Sequence, residues 1–236
     1  MIAQEGIMAE ALSKEKIREI IAKRAAKEFK DGDVVTLGIG LPTEVTKYIP
    51  EDIDVMFQSE NGLLGVGKDQ KGNDIDTRVI NAGGGYVETR HGACFYDSQM
   101  AFIMMRGGHI DATVLGALQA DSEGNLANWS VPGKFTPGMG GAMDLVVGAK
   151  KVIVVMEHTS KGQTKIVEKC DLPLTASGEV NLIITERCVF RVDFDENHNS
   201  RGLILEEINP VFTVDDIKAC TGAPFRVSKT LKEMDI

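Results

Sequence analysis

Cysteine is sparse and unpatterned in this 236-residue chain: Cys94, Cys170, Cys188 and Cys220 form no C-x-x-C pair and keep no regular spacing. That argues against a disulfide frame or a zinc site and fits reduced thiols in a cytoplasmic protein. Positive charge is also in deficit, with 26 Lys and Arg against 35 Asp and Glu, for a formal net charge of −9. A general nucleic-acid or anionic-membrane surface needs the opposite balance. No apolar run reaches membrane-spanning length, and Met1–Gly6 has neither a basic nor an apolar leader character, so no membrane partner is expected. Walker A sequences, internal repeats, low-complexity tracts and linkers are missing as well. His91, His109, His158 and His198 have no ligand-type neighbours at metal spacing, and no Ser or Cys sits in a nucleophile elbow.

What is present is an ordinary globular composition, 43% hydrophobic, read as one domain. Residues 13–29 read as an amphipathic helix with Ser13 as N-cap and Ile17, Ile20, Ile21, Ala25 and Phe29 on one face. Strands are expected at 34–37, 55–58, 112–116 and 151–156, the last continuous and β-branched, as a sheet covered on both faces requires. A short helix between Pro42 and Pro50 and another over 97–106 fall between them. Residues 69–76 read as an exposed loop and Gly83–Gly85 as a turn. In the last third, strand-like runs at 182–185, 188–194 and 203–208 precede a helix at 214–220. The expected class is α/β: an open, mostly parallel central sheet with helices on both faces and a more antiparallel C-terminal part.

Two runs carry chemistry. The first is Ser59-Glu60-Asn61-Gly62-Leu63-Leu64-Gly65, directly after the strand ending at Gln58. It puts the Glu60 carboxylate just past the carboxyl end of a strand, where an open α/β sheet presents groups to ligand. Glu60 there is a candidate nucleophile or general base, its apolar flanks suggesting partial desolvation. A solvated acid in an ordinary turn is the competing reading. The second run is Gly138-Met139-Gly140-Gly141-Ala142-Met143-Asp144, glycines opening a helix, where free N–H groups can meet an oxyanion. A helix start packed closely on another backbone explains it too, and Asp144 is assigned to capping or fold support. Together, a carboxylate and a glycine donor loop suggest acyl transfer through a covalent glutamyl intermediate.

Lesser candidates each have a plain alternative. Gly38-Ile39-Gly40-Leu41-Pro42 after the first strand is a partial dinucleotide fingerprint, with Thr43 where a third glycine belongs, and tight strand–helix packing explains it equally. Lys150, Lys151, Lys161 and Lys165 form either a basic patch or a solvated rim. His158 and Trp129 reach a ligand crevice by position or are packed structurally. The candidate substrate-binding set is Gly38, Gly40, Asn61, Gly62, Gly138 and Met139.

On Ser59–Gly62 and Gly138–Leu145, joined by Leu37–Thr43, Arg106–Asp111, Gly124–Trp129 and Met156–His158, the chain closely resembles the β subunit of family I CoA-transferases. That group includes bacterial acetoacetate/butyrate and succinyl-CoA:3-oxoacid enzymes. The likeness runs from about residue 17 to the C-terminus and leaves residues 1–12 as an unmatched extension. The resemblance implies that Glu60 attacks an acyl-CoA thioester, passes through a mixed anhydride to a glutamyl-CoA thioester, and hands CoA to a carboxylic acid in ping-pong fashion. Gly140 or Gly141 would contribute a backbone donor to the oxyanion hole. No metal or dissociable cofactor would be needed, CoA and acyl-CoA being substrates. The family's other half carries a Gly-Gly-Phe-rich loop missing here, which implies an α-subunit partner in an α₂β₂ assembly. Acetoacetate, acetate, butyrate or succinate are the acids implied. Alternatives are an acyl-CoA hydrolase or dicarboxylate CoA-transferase of the same family, and a non-enzymatic ligand sensor built on a related fold.

Overall fold

The computed structural model describes residues 12–72 and 74–236. Apart from Leu12, the expected extension over 1–12 lies outside the described residues. In chain order the strands are β1 (Val34–Leu37), β2 (Met56–Ser59), β3 (Leu63–Asp69), β4 (Val87–Phe95), β5 (Ala112–Gly116), β6 (Gln119–Asp121), β7 (Leu126–Ala127), β8 (Val152–Val155), β9 (Thr159–Ser160), β10 (Gln163–Thr164), β11 (Ile166–Val167), β12 (Leu182–Ile184), β13 (Cys188–Phe194), β14 (Ser200–Ile208) and β15 (Phe225–Glu233). The α-helices are α1 (Lys14–Ala26), α2 (Leu41–Glu44), α3 (Ser98–Arg106), α4 (Ala142–Gly148) and α5 (Val214–Cys220).

One ten-stranded sheet organises the chain, in the order β15-β14-β13-β12-β8-β5-β1-β2-β3-β4. Its middle, β2-β1-β5-β8-β12, is parallel throughout. The carboxyl ends of these five strands therefore share one edge. The expected antiparallel C-terminal part is there as β13 and β14, although β15 returns parallel to β14. An antiparallel pair that the sequence reading did not anticipate, β3 and β4, extends the opposite side of the sheet.

Period-two alternation in the buried strands explains the two cores. Ile153 and Val155 of β8 face α1, joining Ile20, Ile21 and Ala25, while Val152 and Val154 face α4 and α5 with Leu145, Val146 and Ile217. Helices thus cover both faces. Ser13 caps α1 by accepting from the Lys16 amide, and the helix stops at Ala26, a turn before the expected end, while Phe29 stays buried beyond it. Asp97 caps α3 in the same way through the Met100 amide.

Candidate active site

Glu60 stands at the shared carboxyl edge because β2 ends in a tight hairpin into β3. Ser59 pairs with Leu63, and the Gly62 amide donates to the Ser59 carbonyl at 2.9 Å. Gly62 has φ +107°, and a methyl there would overlap the Tyr96 carbonyl oxygen, so the turn admits only glycine. A second loop clasps the hairpin: the Ala82 amide donates to Ser59 Oγ at 2.8 Å, and Asn61 Nδ2 donates to the Ile80 carbonyl at 2.8 Å. Asn61 is exposed, but its amide nitrogen is engaged with that loop. The glycines at 83–85 fold the loop around Asn81, whose Oδ1 accepts from the Gly83 and Gly85 amides at 2.9 and 3.0 Å.

Eighty residues downstream, the glycine run meets this turn. A β-carbon built on Gly141 would overlap Glu60 Oε2, lying 3.0 Å from Glu60 Cδ, and one built on Gly140 would lie 3.6 Å from Oε1. The half-buried carboxylate therefore rests against the backbone of Gly140 and Gly141, at the start of α4. Among the described residues the amides of Gly140 and Gly141 donate to no protein acceptor, which leaves them free for an incoming oxyanion. Met139 is half-buried beside them, its carbonyl accepting from the Ala142 amide at 3.1 Å, whereas Gly138 is exposed with open space around it.

Gly38 and Gly40 occupy the same edge one strand over. The Gly38 amide donates to the Val114 carbonyl at 2.8 Å, and its α-carbon packs on Leu115, which is the strand-packing role. Gly40 is the N-cap residue of α2, whose second residue is Pro42. Between them Ile39 is 76% exposed and lies beside Gly83, linking this turn to the loop that clasps the β2–β3 hairpin.

The supporting residues follow ordinary chemistry. Asp144 accepts from Arg106 Nε at 2.6 Å and ties α4 to α3. His158 is fully buried at the end of β8, its Nδ1 3.0 Å from Thr185 Oγ1 and its Nε2 2.9 Å from Thr221 Oγ1. Burial, and next the Arg187 cation, push its pKa down to about 3, so the ring is neutral and structural. Trp129 donates its indole N–H to the Leu174 carbonyl at 3.2 Å. Sequence reasoning missed Phe102, whose ring tip lies 3.2 Å from the same Gly141 β-carbon position. It also missed the 80–85 loop as the clasp of the hairpin that carries Glu60, through Ser59 and Asn61. Neither has a local signal, since both reach the site only through strand order.

Comparison with known proteins matches the chain to a family. The sequence model of the coenzyme A transferase family fits residues 18–219. The chain belongs to that family. The chain is 54% identical over 215 residues to the acetate CoA-transferase subunit beta of Escherichia coli K12, covering 91% of this chain and 95% of the relative. It is 49% identical over 219 residues to the mitochondrial succinyl-CoA:3-ketoacid coenzyme A transferase 2A of Rattus norvegicus, covering 92% of this chain but only 41% of the relative. Among solved structures, the acyl-CoA transferase apoenzyme of Escherichia coli O157:H7 superposes with a TM-score of 0.72 at 25% identity, covering 93% of this chain and 43% of that one. The chain thus spans less than half of some relatives and nearly the whole of others.

Proposed function

We propose that this chain is the glutamate-bearing β half of a CoA-transferase that moves CoA from a short-chain acyl-CoA to a carboxylic acid, paired with an α subunit in an α₂β₂ assembly in the cytoplasm. The observation that carries the reading is the contact between the Glu60 carboxylate and Gly140–Gly141. It joins a nucleophile to unoccupied backbone donors, the two parts an acyl transfer needs.

In the proposed cycle, a Glu60 carboxylate oxygen attacks the thioester carbonyl and the C–S bond breaks. This leaves a mixed anhydride and CoA thiolate. The thiolate attacks Glu60 Cδ, releasing the first carboxylate and forming glutamyl-CoA. An acceptor carboxylate then attacks Cδ, displaces the thiolate, and is itself attacked by it, regenerating Glu60. Each tetrahedral intermediate carries an oxyanion, and one pre-aligned backbone donor is worth about 2.7–4 kcal/mol to such a charge. Binding energy from the distant nucleotide end of CoA lowers the barrier further if it is realised in the transition state. Acetate, acetoacetate, butyrate and succinate are the acids to test first; the first two lines of support are the relatives' acetate and 3-ketoacid names.

The test is intact mass spectrometry of the assembled α/β complex turned over with acyl-CoA. A CoA adduct that maps to Glu60, disappears on adding acceptor acid, and is missing in Glu60→Gln is the expected result. An unchanged mass under active turnover would end the proposal.

A further inference from the structure

Once glutamyl-CoA exists, two nucleophiles compete for Glu60 Cδ. A carboxylate gives transfer; water adds its oxygen to Cδ, the C–S bond breaks, and free CoA, the Glu60 carboxylate and a proton result. What discriminates them must lie against the carboxyl group, and the structure supplies an apolar wall. The position of a methyl on Gly141 is 3.0 Å from Glu60 Cδ and 3.2 Å from Phe102 Cζ, so ring tip and carboxyl group flank one point. Phe102 is half-buried on α3 and packs on the core, with its edge directed to the site.

The ring is held from both helices. The Arg106 guanidinium lies 5.4 Å from its centroid, and Arg106 is itself pinned by Asp144 of α4 at 2.6 Å. The two helices are locked close because any side chain at Gly148 would overlap the Met105 carbonyl. A ring fixed in this way offers no hydrogen bond to a water poised for attack, and it stands on the Gly141 side of the carboxyl group.

We propose that Phe102 is a specificity-determining residue that shields the glutamyl thioester from water and so keeps the enzyme a transferase. The inference rests on the Glu60 reading above. Its test uses the assembled α/β complex, loaded with acyl-CoA and freed of excess substrate, with the Glu60 adduct followed by intact mass. Phe102→Ala should shorten the adduct's lifetime without acceptor at least tenfold, while its discharge by added acceptor changes less than threefold. Phe102→Leu, which keeps much of the apolar bulk, should fall between, and it carries the test alone if the alanine variant fails to assemble. Equal lifetimes in wild type and variants, or equal changes in hydrolysis and transfer, would overturn the shield while leaving the adduct in place. A wild-type complex with no adduct would overturn the Glu60 reading, and the shield with it.

Discussion

At the scale of single residues, two glycines in the site demand glycine for different reasons, and the difference is measurable. Gly141 has φ −83°, which alanine adopts freely, and the atom its methyl would strike is the tip of the flexible Glu60 side chain. Gly141→Ala should therefore fold, losing under about 1 kcal/mol as an N-cap change, but displace the carboxylate from its place beside the glycine backbone. Turnover should fall by about 100-fold or more while the thermal midpoint barely moves. Gly62→Ala meets a backbone carbonyl and carries φ +107°, so it should cost about 1–3 kcal/mol in stability as well as activity. Parallel melting and turnover curves for the two variants check both claims. The sequence marked Glu60 and the run 138–141 as chemical, because a carboxylate after a strand and clustered glycines are local patterns. It left Gly140 and Gly141 undivided, since what separates them is their distance to a side chain eighty positions away.

Secondary-structure elements were legible in proportion to their burial. β1, β5, β8 and β12 are covered on both faces and spell out Val, Ile and Leu runs that need no context. β4 (Val87–Phe95) and β15 (Phe225–Glu233) form the sheet's two edges and are mostly exposed, with Arg, Lys, Glu and Ser in place of an apolar stripe. Charged edges protect a sheet from further pairing, and the same charges hide the strands from pattern reading. At the junction of β8 and β12 an element-level prediction follows from His158. Its folded pKa is depressed to about 3 from 6.5, so between those values the unfolded chain binds the extra proton and stability falls as pH falls. From pH 6.5 to 5.5 the loss should be about 1 kcal/mol, above the range where carboxylates titrate. Urea unfolding at the two pH values should show this slope in wild type. His158→Gln should be less stable throughout and lack that increment; an unchanged slope would mean another group is responsible.

For the molecule as a whole, the charge balance bears on how CoA is held. The chain carries −9, and CoA brings several phosphate charges of the same sign. Arg106, on the helix that carries Phe102 to the site, is already paired with Asp144. On net charge the isolated chain should therefore repel CoA at long range, and the attraction is expected from the proposed α subunit. Repulsion and attraction respond oppositely to salt, because screening shortens the reach of both from about 30 Å at 0.01 M to about 8 Å at 0.15 M. CoA binding to the isolated chain should be weak and should strengthen as salt rises over that range. Binding to the α/β complex should be tighter and should weaken. Calorimetric titration of both species across the series distinguishes the cases, and an isolated chain that bound CoA tightly at low salt would show that the cationic contacts reside in this half after all.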